Sequence, residues 1–273
     1  RLRGSVSEDI RGPNLGELFQ GSIQSTATVS DPQRGGVVGN TLTGVVGNPN
    51  VVPESGMSTV YGIVLQPAFI PRLTLSVDYY SIRISNAITT LTAQQEINLC
   101  QAGATDICGF IQRNTQNVIS RVALPFLNVA NRNTSGVDFE ASWDGRVPGG
   151  TFGVRLLVSY LDKFETQIGT NQVLDLAGDI GVNSTPKWSG TLGTSYVKGP
   201  FSLYVQERFI GSGKFDNSLT TTDVAFNSVP AIAYTDATFT VDIGHKGRYQ
   251  FFTTVNNLFD QDPPLVPGYL TIG

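Results

Sequence analysis

The chain lacks the features that mark several classes of protein. No run approaches the ~18 consecutive apolar residues of a transmembrane helix, so a helical membrane anchor is excluded. Only 15% of the 273 residues are charged, and the net charge is −4. An acidic isoelectric point near 5.0, without any basic tract, argues against a nucleic-acid partner. Intrinsic disorder is equally disfavoured, because 40% of the residues are hydrophobic.

Residues for catalysis or metal binding are scarce as well. The single histidine, His245, stands in a glycine-flanked turn, where we expect it to be solvated. The chain has no other histidine that could serve in a Ser-His-Asp triad or join His245 in a metal site. Asp138 and Glu140 could suggest acid–base work, but their i, i+2 spacing places both on one polar face of a strand. We therefore expect no enzyme activity, no cofactor and no metal.

What the chain has in abundance is a period-two alternation of apolar and polar residues. Between Thr151 and Phe164, apolar side chains occupy every second position with few exceptions. Successive side chains of a strand point to opposite faces, so such runs predict strands with one apolar and one polar face. The pattern predicts about nine strands, near residues 1–9, 57–68, 72–88, 127–146, 151–165, 186–198, 201–211, 232–244 and 248–259.

The connections between these strands alternate between tight and long. Tight, Gly- and Pro-containing connections follow the second, fourth, sixth and eighth predicted strands. The long connections run near residues 10–56, 89–126, 166–185 and 212–231. Outer-membrane β-barrels have this arrangement, with short periplasmic turns and longer extracellular loops. A soluble sandwich has no reason to adopt it.

The aromatic residues predict where such a barrel would meet the membrane. Several recur eight residues apart on the apolar face, which is ~26 Å along a strand. At a strand tilt near 40°, this is ~20 Å along the membrane normal. That height roughly matches the ~25 Å apolar band between the two aromatic girdles of a barrel. We expect the girdles to contain Trp143, Phe152, Tyr160, Trp188, Tyr196, Phe201 and Phe209. We expect the opposite, concave face to carry Asp138, Glu140, Arg155, Tyr204, Gln206 and Arg208, as candidates for contact with a substrate or a plug.

Five local motifs resemble those of TonB-dependent outer-membrane receptors. The segment 11–19, RGPNLGELF, is similar to the family's R-x-P-x-x-x-E-L-F, and 48–54, NPNVVPE, is similar to N-P-x-L-x-P-E. The segments 77–80, VDYY, and 136–140, GVDFE, resemble two barrel motifs. The segment 255–260, VNNLFD, resembles the N-L-F-D that closes the penultimate strand. No motif is specific alone, but five occur in the family's order over nearly the whole chain.

The resemblance implies a partial, all-β, antiparallel up-and-down transmembrane barrel over residues 1–273. The chain would supply about nine of the family's 22 strands, near the thirteenth to the twenty-first. The family's N-terminal plug, its TonB-binding motif and its last strand are not recognisable, so we expect the sequence to be a fragment. By the same resemblance, the intact protein would lie in outer-membrane lipid and import a small molecule or oligosaccharide (a siderophore, cobalamin or a glycan). The TonB complex would supply energy through the plug.

The two cysteines, Cys100 and Cys108, fall in the second long connection. An even pair at short spacing in an oxidising exterior predicts a disulfide, which would contribute ~2.5 kcal/mol by the chain-entropy estimate. Three alternatives to the receptor stay open from the sequence: a passive porin-type channel, a soluble β-sandwich binding module, and an outer-membrane enzyme. The single histidine makes the last the weakest.

Overall fold

The computed structural model describes residues 1–168, 173–181, 185–217, 219, 224, 226–244 and 248–264. None of the helices in these ranges is long and apolar enough to cross a membrane. Strands dominate, and in chain order they are β1 (Leu2–Arg11), β2 (Ile23–Asp31), β3 (Val37–Val46), β4 (Glu54–Leu65), β5 (Thr74–Thr90), β6 (Ile111–Arg113), β7 (Ile119–Val147), β8 (Gly150–Ile168), β9 (Leu174–Asp175), β10 (Trp188–Lys198), β11 (Phe201–Ile210), β12 (Gly213–Lys214), β13 (Ser228–Val229), β14 (Ile232–Ile243) and β15 (Tyr249–Val255).

Nine of these strands form one continuous sheet, which we call the wall. Its order is β1-β4-β5-β7-β8-β10-β11-β14-β15, and every neighbouring pair is antiparallel. Strands that are consecutive in the wall are therefore also consecutive along the chain, apart from the additional strands within the long connections. The sheet is open, with β1 and β15 at its edges. The prediction of a nine-strand antiparallel meander, part of a barrel, is confirmed.

Three features fix the register and ends of the wall strands. The connections from β4 to β5, β7 to β8, β10 to β11 and β14 to β15 all lie at one end of the sheet, and those from β7 to β8 and from β10 to β11 are two-residue turns. Gly149 and Gly199 have positive φ values of 91° and 57° in these two turns, a conformation that glycine adopts without strain. Pairing between β4 and β5 runs without a shift from Leu75 to Ser85, so Ile82 and Ile84 lie on the polar face. These two isoleucines break the apolar–polar alternation of β5, although the first irregularity in its pairing with β7 comes only after Ile84.

The first two long connections are folded rather than irregular. Strands β2 and β3 form a hairpin, and β3 continues in parallel pairing with the first part of β7, from Leu42↔Arg121 to Val46↔Pro125. Three short helices accompany them: α1 (Leu15–Phe19), α2 (Ala93–Gln101) and α3 (Thr105–Cys108). We call β2, β3, α2, α3, β6 and residues 119–125 the loop unit. It extends beyond the end of the wall opposite the tight turns.

The loop unit encloses a small hydrophobic core. Helix α2 lays Ala93 and Ile97 against the hairpin and the start of β7, and the side chain of Val122 is completely buried. The buried members of this core are Val29, Ala93, Ile97, Ile119 and Val122, with Ala27, Ile111 and Leu124 at its margin. Among the described residues, the wall packs against no second layer of this kind, and many of its large apolar side chains are exposed.

Candidate functional site

Side-chain contacts between strands connect the polar face of the wall, and one of them crosses an intervening strand. Arg3 on β1 and Asp78 on β5 form an ion pair, with 2.6 Å between Nε and Oδ1. The strand between them, β4, presents Gly62 at that position, in register with both residues. A Cβ on Gly62 would collide with the Asp78 carboxylate. The ion pair therefore depends on a glycine in the strand that it crosses.

Four side chains continue this network on β7 and β8. Ser159 Oγ donates to Asp138 Oδ1 at 2.7 Å, and Arg155 Nη2 lies 2.9 Å from Glu140 Oε1. Asp138 is also the direct cross-strand partner of Asp78. Two like charges facing each other destabilise a strand pair. Arg3 and Ser159 offset this by binding one carboxylate each.

A second polar group lies on β11 and β14. The Tyr204 hydroxyl donates to Gln206 Oε1 at 3.1 Å, and Arg208 Nη2 lies 3.1 Å from Asp236 Oδ2. The Arg208 guanidinium also stands 5.7 Å from the centre of the Tyr234 ring, a cation–π distance. Asp236 accepts a further bond from the backbone N–H of Asn257, so it fastens β14 to the turn that ends β15.

Strand β10 lies between the two groups, and its side chains on the polar face are small. Gly193 is in register with Arg155 on one side and with Gln206 on the other. Its neighbours on the same face of β10 are Thr191 and Ser195. A Cβ on Gly193 would meet the Tyr204 hydroxyl at 2.7 Å, so the tyrosine lies across the glycine. Two open cavities of about 280 and 390 Å³ lie along this trough. The six residues expected on the concave face thus share one face, as two clusters with a trough between them.

The aromatic residues occupy the other face, in groups at the two ends of the strands. At the tight-turn end, Trp143 packs 6.3 Å from Phe152, and Phe201 stacks 6.1 Å from Phe239. Tyr196 pairs in register with Phe152 there. At the opposite end, Tyr160 and Trp188 are 4.6 Å apart, and Phe209 lies on the same face. Trp143 also donates from Nε1 to the Pro71 carbonyl in a tight turn.

Two of the sequence motifs meet where the wall joins the long connections. The Arg11 guanidinium bonds the carboxylate of Glu17 twice at 3.0 Å, and that of Glu54 at 2.6 and 3.1 Å. Glu17 and Asn14 form a capping box at the start of α1. The hydrogen bonds from Arg11 and from the Asn14 backbone lower the pKa of the Glu17 carboxyl. Both motifs were recognised from the sequence, but their contact through Arg11 was not.

The loop unit has its own polar contacts around its core. Arg113 binds Asp31 in a two-bond pair at 2.6 and 2.8 Å, and this hydrogen bonding lowers the pKa of the Asp31 carboxyl. Gln94 on α2 accepts from the Ser30 N–H and donates to the Ser30 carbonyl, so it acts as a strand partner for the edge of β2. Helix α2 is thereby fixed to the hairpin by its first turn.

Glu96 is the one acidic side chain of α2, and it is completely buried. Neither of its carboxyl oxygens has a hydrogen-bond partner among the described residues. Burial raises the pKa of this carboxyl to about 8, because the charged form has lost its water. At neutral pH the group is therefore mostly protonated.

Cys100 and Cys108 are bonded, with an S–S distance of 2.03 Å and a Cα–Cα distance of 4.9 Å. The bond joins the last turn of α2 to the end of α3, beside the core of the loop unit. His245, interpreted from the sequence as a solvated turn residue, lies outside the described residues. In the part of the chain that the structure describes, no three His, Cys, Asp or Glu residues gather as metal ligands.

The fold and its two-faced wall define part of a β-barrel, and comparison with known proteins agrees. Residues 1–258 match the family described as "TonB dependent receptor-like, beta-barrel". The chain belongs to this family, whose members are outer-membrane β-barrel proteins. No curated protein sequence matches it significantly.

Among solved structures, the chain is similar to several receptors. These include the siderophore receptor PirA from Acinetobacter baumannii (12% identity, TM-score 0.62, 95% of this chain and 35% of that one). A ferric enterobactin receptor PfeA variant from Pseudomonas aeruginosa, in complex with enterobactin, matches with 15% identity and a TM-score of 0.65 over 95% of this chain and 33% of that one. The copper transporter OprC matches with 14% identity and a TM-score of 0.54, over 96% and 31%. The chain thus spans about a third of the length of these proteins, and at such identities the likeness concerns the fold.

Proposed function

We propose that this chain forms part of the barrel of a receptor that takes up a scarce solute across the bacterial outer membrane. The solute would be a siderophore, cobalamin or an oligosaccharide, and the energy would come from the TonB complex through a plug domain. The observation that carries the proposal is the family match over residues 1–258, on a wall with one polar and one aromatic face. The solved relatives described as siderophore receptors and a copper transporter support solute uptake as the activity.

The open edges of the wall support a role within a larger barrel. Edge strands β1 and β15 expose their side chains along their whole described length. Unpaired N–H and C=O groups of a sheet edge are not tolerated in hydrocarbon, because no water is present to bond them. Further strands would close the barrel at both edges. The aromatic face would then meet lipid, and the polar face would line the lumen.

Within that lumen, we place the solute path or the plug contact along the trough over β10. The trough is flanked by Arg155 and Glu140 on one side and by Tyr204, Gln206 and Arg208 on the other. Both arginines already bind a carboxylate, so they offer directed hydrogen bonds rather than a large net positive charge. Such a surface suits a polar solute that passes through without being trapped.

The proposal is tested by uptake in cells. The complete gene is deleted and then restored from a plasmid, and radiolabelled candidate solutes are supplied at nanomolar concentration. We expect accumulation only in the restored strain, and its loss when the tonB gene is deleted or the proton gradient is collapsed. Accumulation that is proportional to solute concentration and indifferent to TonB would indicate a passive channel instead.

A pair of variants examines the trough within the same assay. Gly193→Gln places a side chain against Tyr204 and fills the trough, so we expect uptake to fall severalfold. The matched control is Thr194→Gln on the aromatic face of the same strand, where Thr194 pairs with Val154. If both variants reach the outer membrane in normal amount and transport equally, the trough is not the path.

A further inference from the structure

A recess on the aromatic face of the wall is not explained by solute transport. It lies between β4 and β5, near their ends at the long connections, and has a volume of about 250 Å³. Its lining belongs wholly to the face that carries the aromatic residues, not to the polar face. The lining residues are Met57, Thr59, Tyr79, Ser81 and Arg83.

The strand register explains why the surface is hollow there. Three successive pairs on this face are Tyr61↔Tyr79, Thr59↔Ser81 and Met57↔Arg83. The middle pair is small, whereas the pairs on either side are large, so a gap remains between two tyrosine rings and a guanidinium. Tyr61 and Tyr79 are 58% and 44% exposed, and their rings offer apolar surface beside the gap. The hydroxyl groups of Thr59 and Ser81 form its floor.

Arg83 carries a charge that the protein leaves uncompensated. Several cations of the wall pair with a carboxylate: Arg3, Arg155 and Arg208 do so on the polar face, and Lys163 has Glu165 at 3.4 Å. Among the described residues, no carboxylate lies within 4 Å of Arg83, and the residue is exposed. Two acidic residues share its row, Glu8 beyond Met57 and Glu165 beyond Asn133, and each lies two strand spacings or ~9.6 Å away. Glu165 is already paired with Lys163.

The position of Arg83 along the strand matches the headgroup layer. Arg83 is four positions beyond Tyr79, which is ~13 Å along the strand and ~10 Å along the membrane normal at a tilt near 40°. If the tyrosine marks the edge of the hydrocarbon, as aromatic belts do in barrels, the guanidinium lies among the headgroups of the outer leaflet. The long connections that follow would then be on the cell exterior.

We propose that this recess binds the phosphorylated headgroup of an outer-leaflet amphiphile. A guanidinium matches a phosphate with two parallel hydrogen bonds, and the Thr59 and Ser81 hydroxyls donate to the remaining oxygens. The acyl chains follow Tyr61 and Tyr79 into the bilayer. The inference rests on the proposed function in one respect, since it takes the aromatic face to be the lipid face.

The test measures lipid binding by the complete receptor, purified in a mild detergent. A bisphosphorylated glucosamine lipid (lipid A) is titrated and followed by native mass spectrometry, beside the same lipid without phosphates. We expect Arg83→Gln to weaken binding of the phosphorylated lipid about tenfold, to the level of the phosphate-free lipid. Arg83→Lys should recover part of the loss, and inorganic phosphate at millimolar concentration should not displace the lipid.

The control is Arg132→Gln, which removes an arginine next to the same stretch of β5 but on the polar face, where Arg132 pairs with Ile84. It should bind lipid like the unaltered protein. Ser81→Tyr fills the recess without touching the charge, and should also block binding. Equal binding by Arg83→Gln and the unaltered receptor, or equal binding of the two lipids, would overturn the inference.

The cellular uptake assay separates this inference from the proposed function. Arg83→Gln should leave solute accumulation unchanged, because the recess faces away from the lumen. Normal TonB-dependent uptake together with phosphate-independent lipid binding would contradict the proposed lipid site and leave the proposed transport function standing. Specific lipid binding by a receptor that accumulates no solute would contradict the transport function and leave the lipid site standing.

Discussion

The wall and the loop unit are built from similar strands, yet they treat apolar side chains in opposite ways. In the loop unit, Val122 is 0% and Ile97 2% exposed. In the wall, Trp188 is 50% and Phe201 49% exposed, although both belong to strands that are paired on both sides. Soluble monomers rarely expose a continuous apolar face of this kind.

The two regions are therefore stabilised in different ways. The wall satisfies its backbone through pairing but leaves its apolar face to be covered by a surrounding apolar phase. The loop unit removes its own apolar side chains from water, as a small soluble domain does. Changes to its core should therefore loosen the loop unit while the wall still assembles, and that separation can be measured.

The largest effect is expected from Val122→Asp. A carboxylate in the loop-unit core would lose its water without gaining a partner, which costs more than ~4 kcal/mol. We expect the amides of β2, β3 and α2 to lose their protection from hydrogen exchange. The control, Val38→Asp, alters a valine that is 65% exposed and should change little.

The wall provides the second half of that experiment. A Val122→Asp receptor should still reach the outer membrane and keep the heat-modifiable gel mobility of a folded barrel. Failure of barrel assembly in this variant, but not in Val38→Asp, would mean that the two regions fold as one unit.

The next effect concerns Glu96 and depends on pH. The folded-state pKa of about 8 lies above the unfolded value, so the folded state holds the proton more tightly. Stability of the loop unit is thus greatest below the unfolded pKa and declines as pH rises toward about 8, by roughly 3 kcal/mol from pH 5 to pH 8. Glu96→Gln should remove this decline, with little change at pH 5. Hydrogen exchange of α2 at both pH values measures it, and an equal pH dependence in both proteins would contradict the assignment.

The same contrast explains what the sequence could predict. The wall follows a period-two pattern with Gly and Pro in its turns, so nine strands and the sorting of Phe152 and Glu140 onto opposite faces were predictable. The hairpin β2–β3 was missed because polar Thr41 and Thr43 occupy its buried positions, which hides the alternation. Its parallel pairing with β7 joins residues far apart in the chain and leaves no local signal.

The site shows the same limit. Residue types and strand phase placed Asp138, Arg155 and Arg208 on one face, since each depends only on its own strand. Their partners were not predictable, because register decides that Gly193 lies between two clusters. The contact between Arg11 and Glu54 likewise spans 43 residues.

Removal of the disulfide should have a smaller effect than either core change. In the double variant Cys100→Ser/Cys108→Ser, α2 and α3 lose their covalent link, and the opening free energy of the loop unit should fall by ~2.5 kcal/mol. Hydrogen exchange of α2 and β6 measures this, and wall amides in the same sample act as the internal control. Unchanged protection of α2 would show that its packing through Ile97 alone holds the helix.

The smallest effect is expected at the junction of the two regions, from Arg11→Gln. This change removes the partner of Glu17 and Glu54, whose side chains are only 10% and 15% exposed, and leaves two carboxylates close together. The Arg11 side chain itself is 45% exposed, so solvent screens part of the interaction. We expect a loss of ~1–2 kcal/mol in the protection of α1.

The pH dependence distinguishes this loss from a simple loss of packing. Because the pKa of Glu17 is lowered in the folded protein, its contribution is present above the unfolded pKa and disappears as pH falls through the folded value. The unaltered protein should therefore lose α1 protection as the pH falls below the unfolded pKa of about 4.5, and Arg11→Gln should lose less over the same range. The control is Arg72→Gln, whose partner Asp144 is 69% exposed, so the pair should contribute little. If both variants behave alike at every pH, the Arg11 cluster contributes no more than an ordinary surface ion pair, and the contact between the two sequence motifs does not stabilise α1 against the wall.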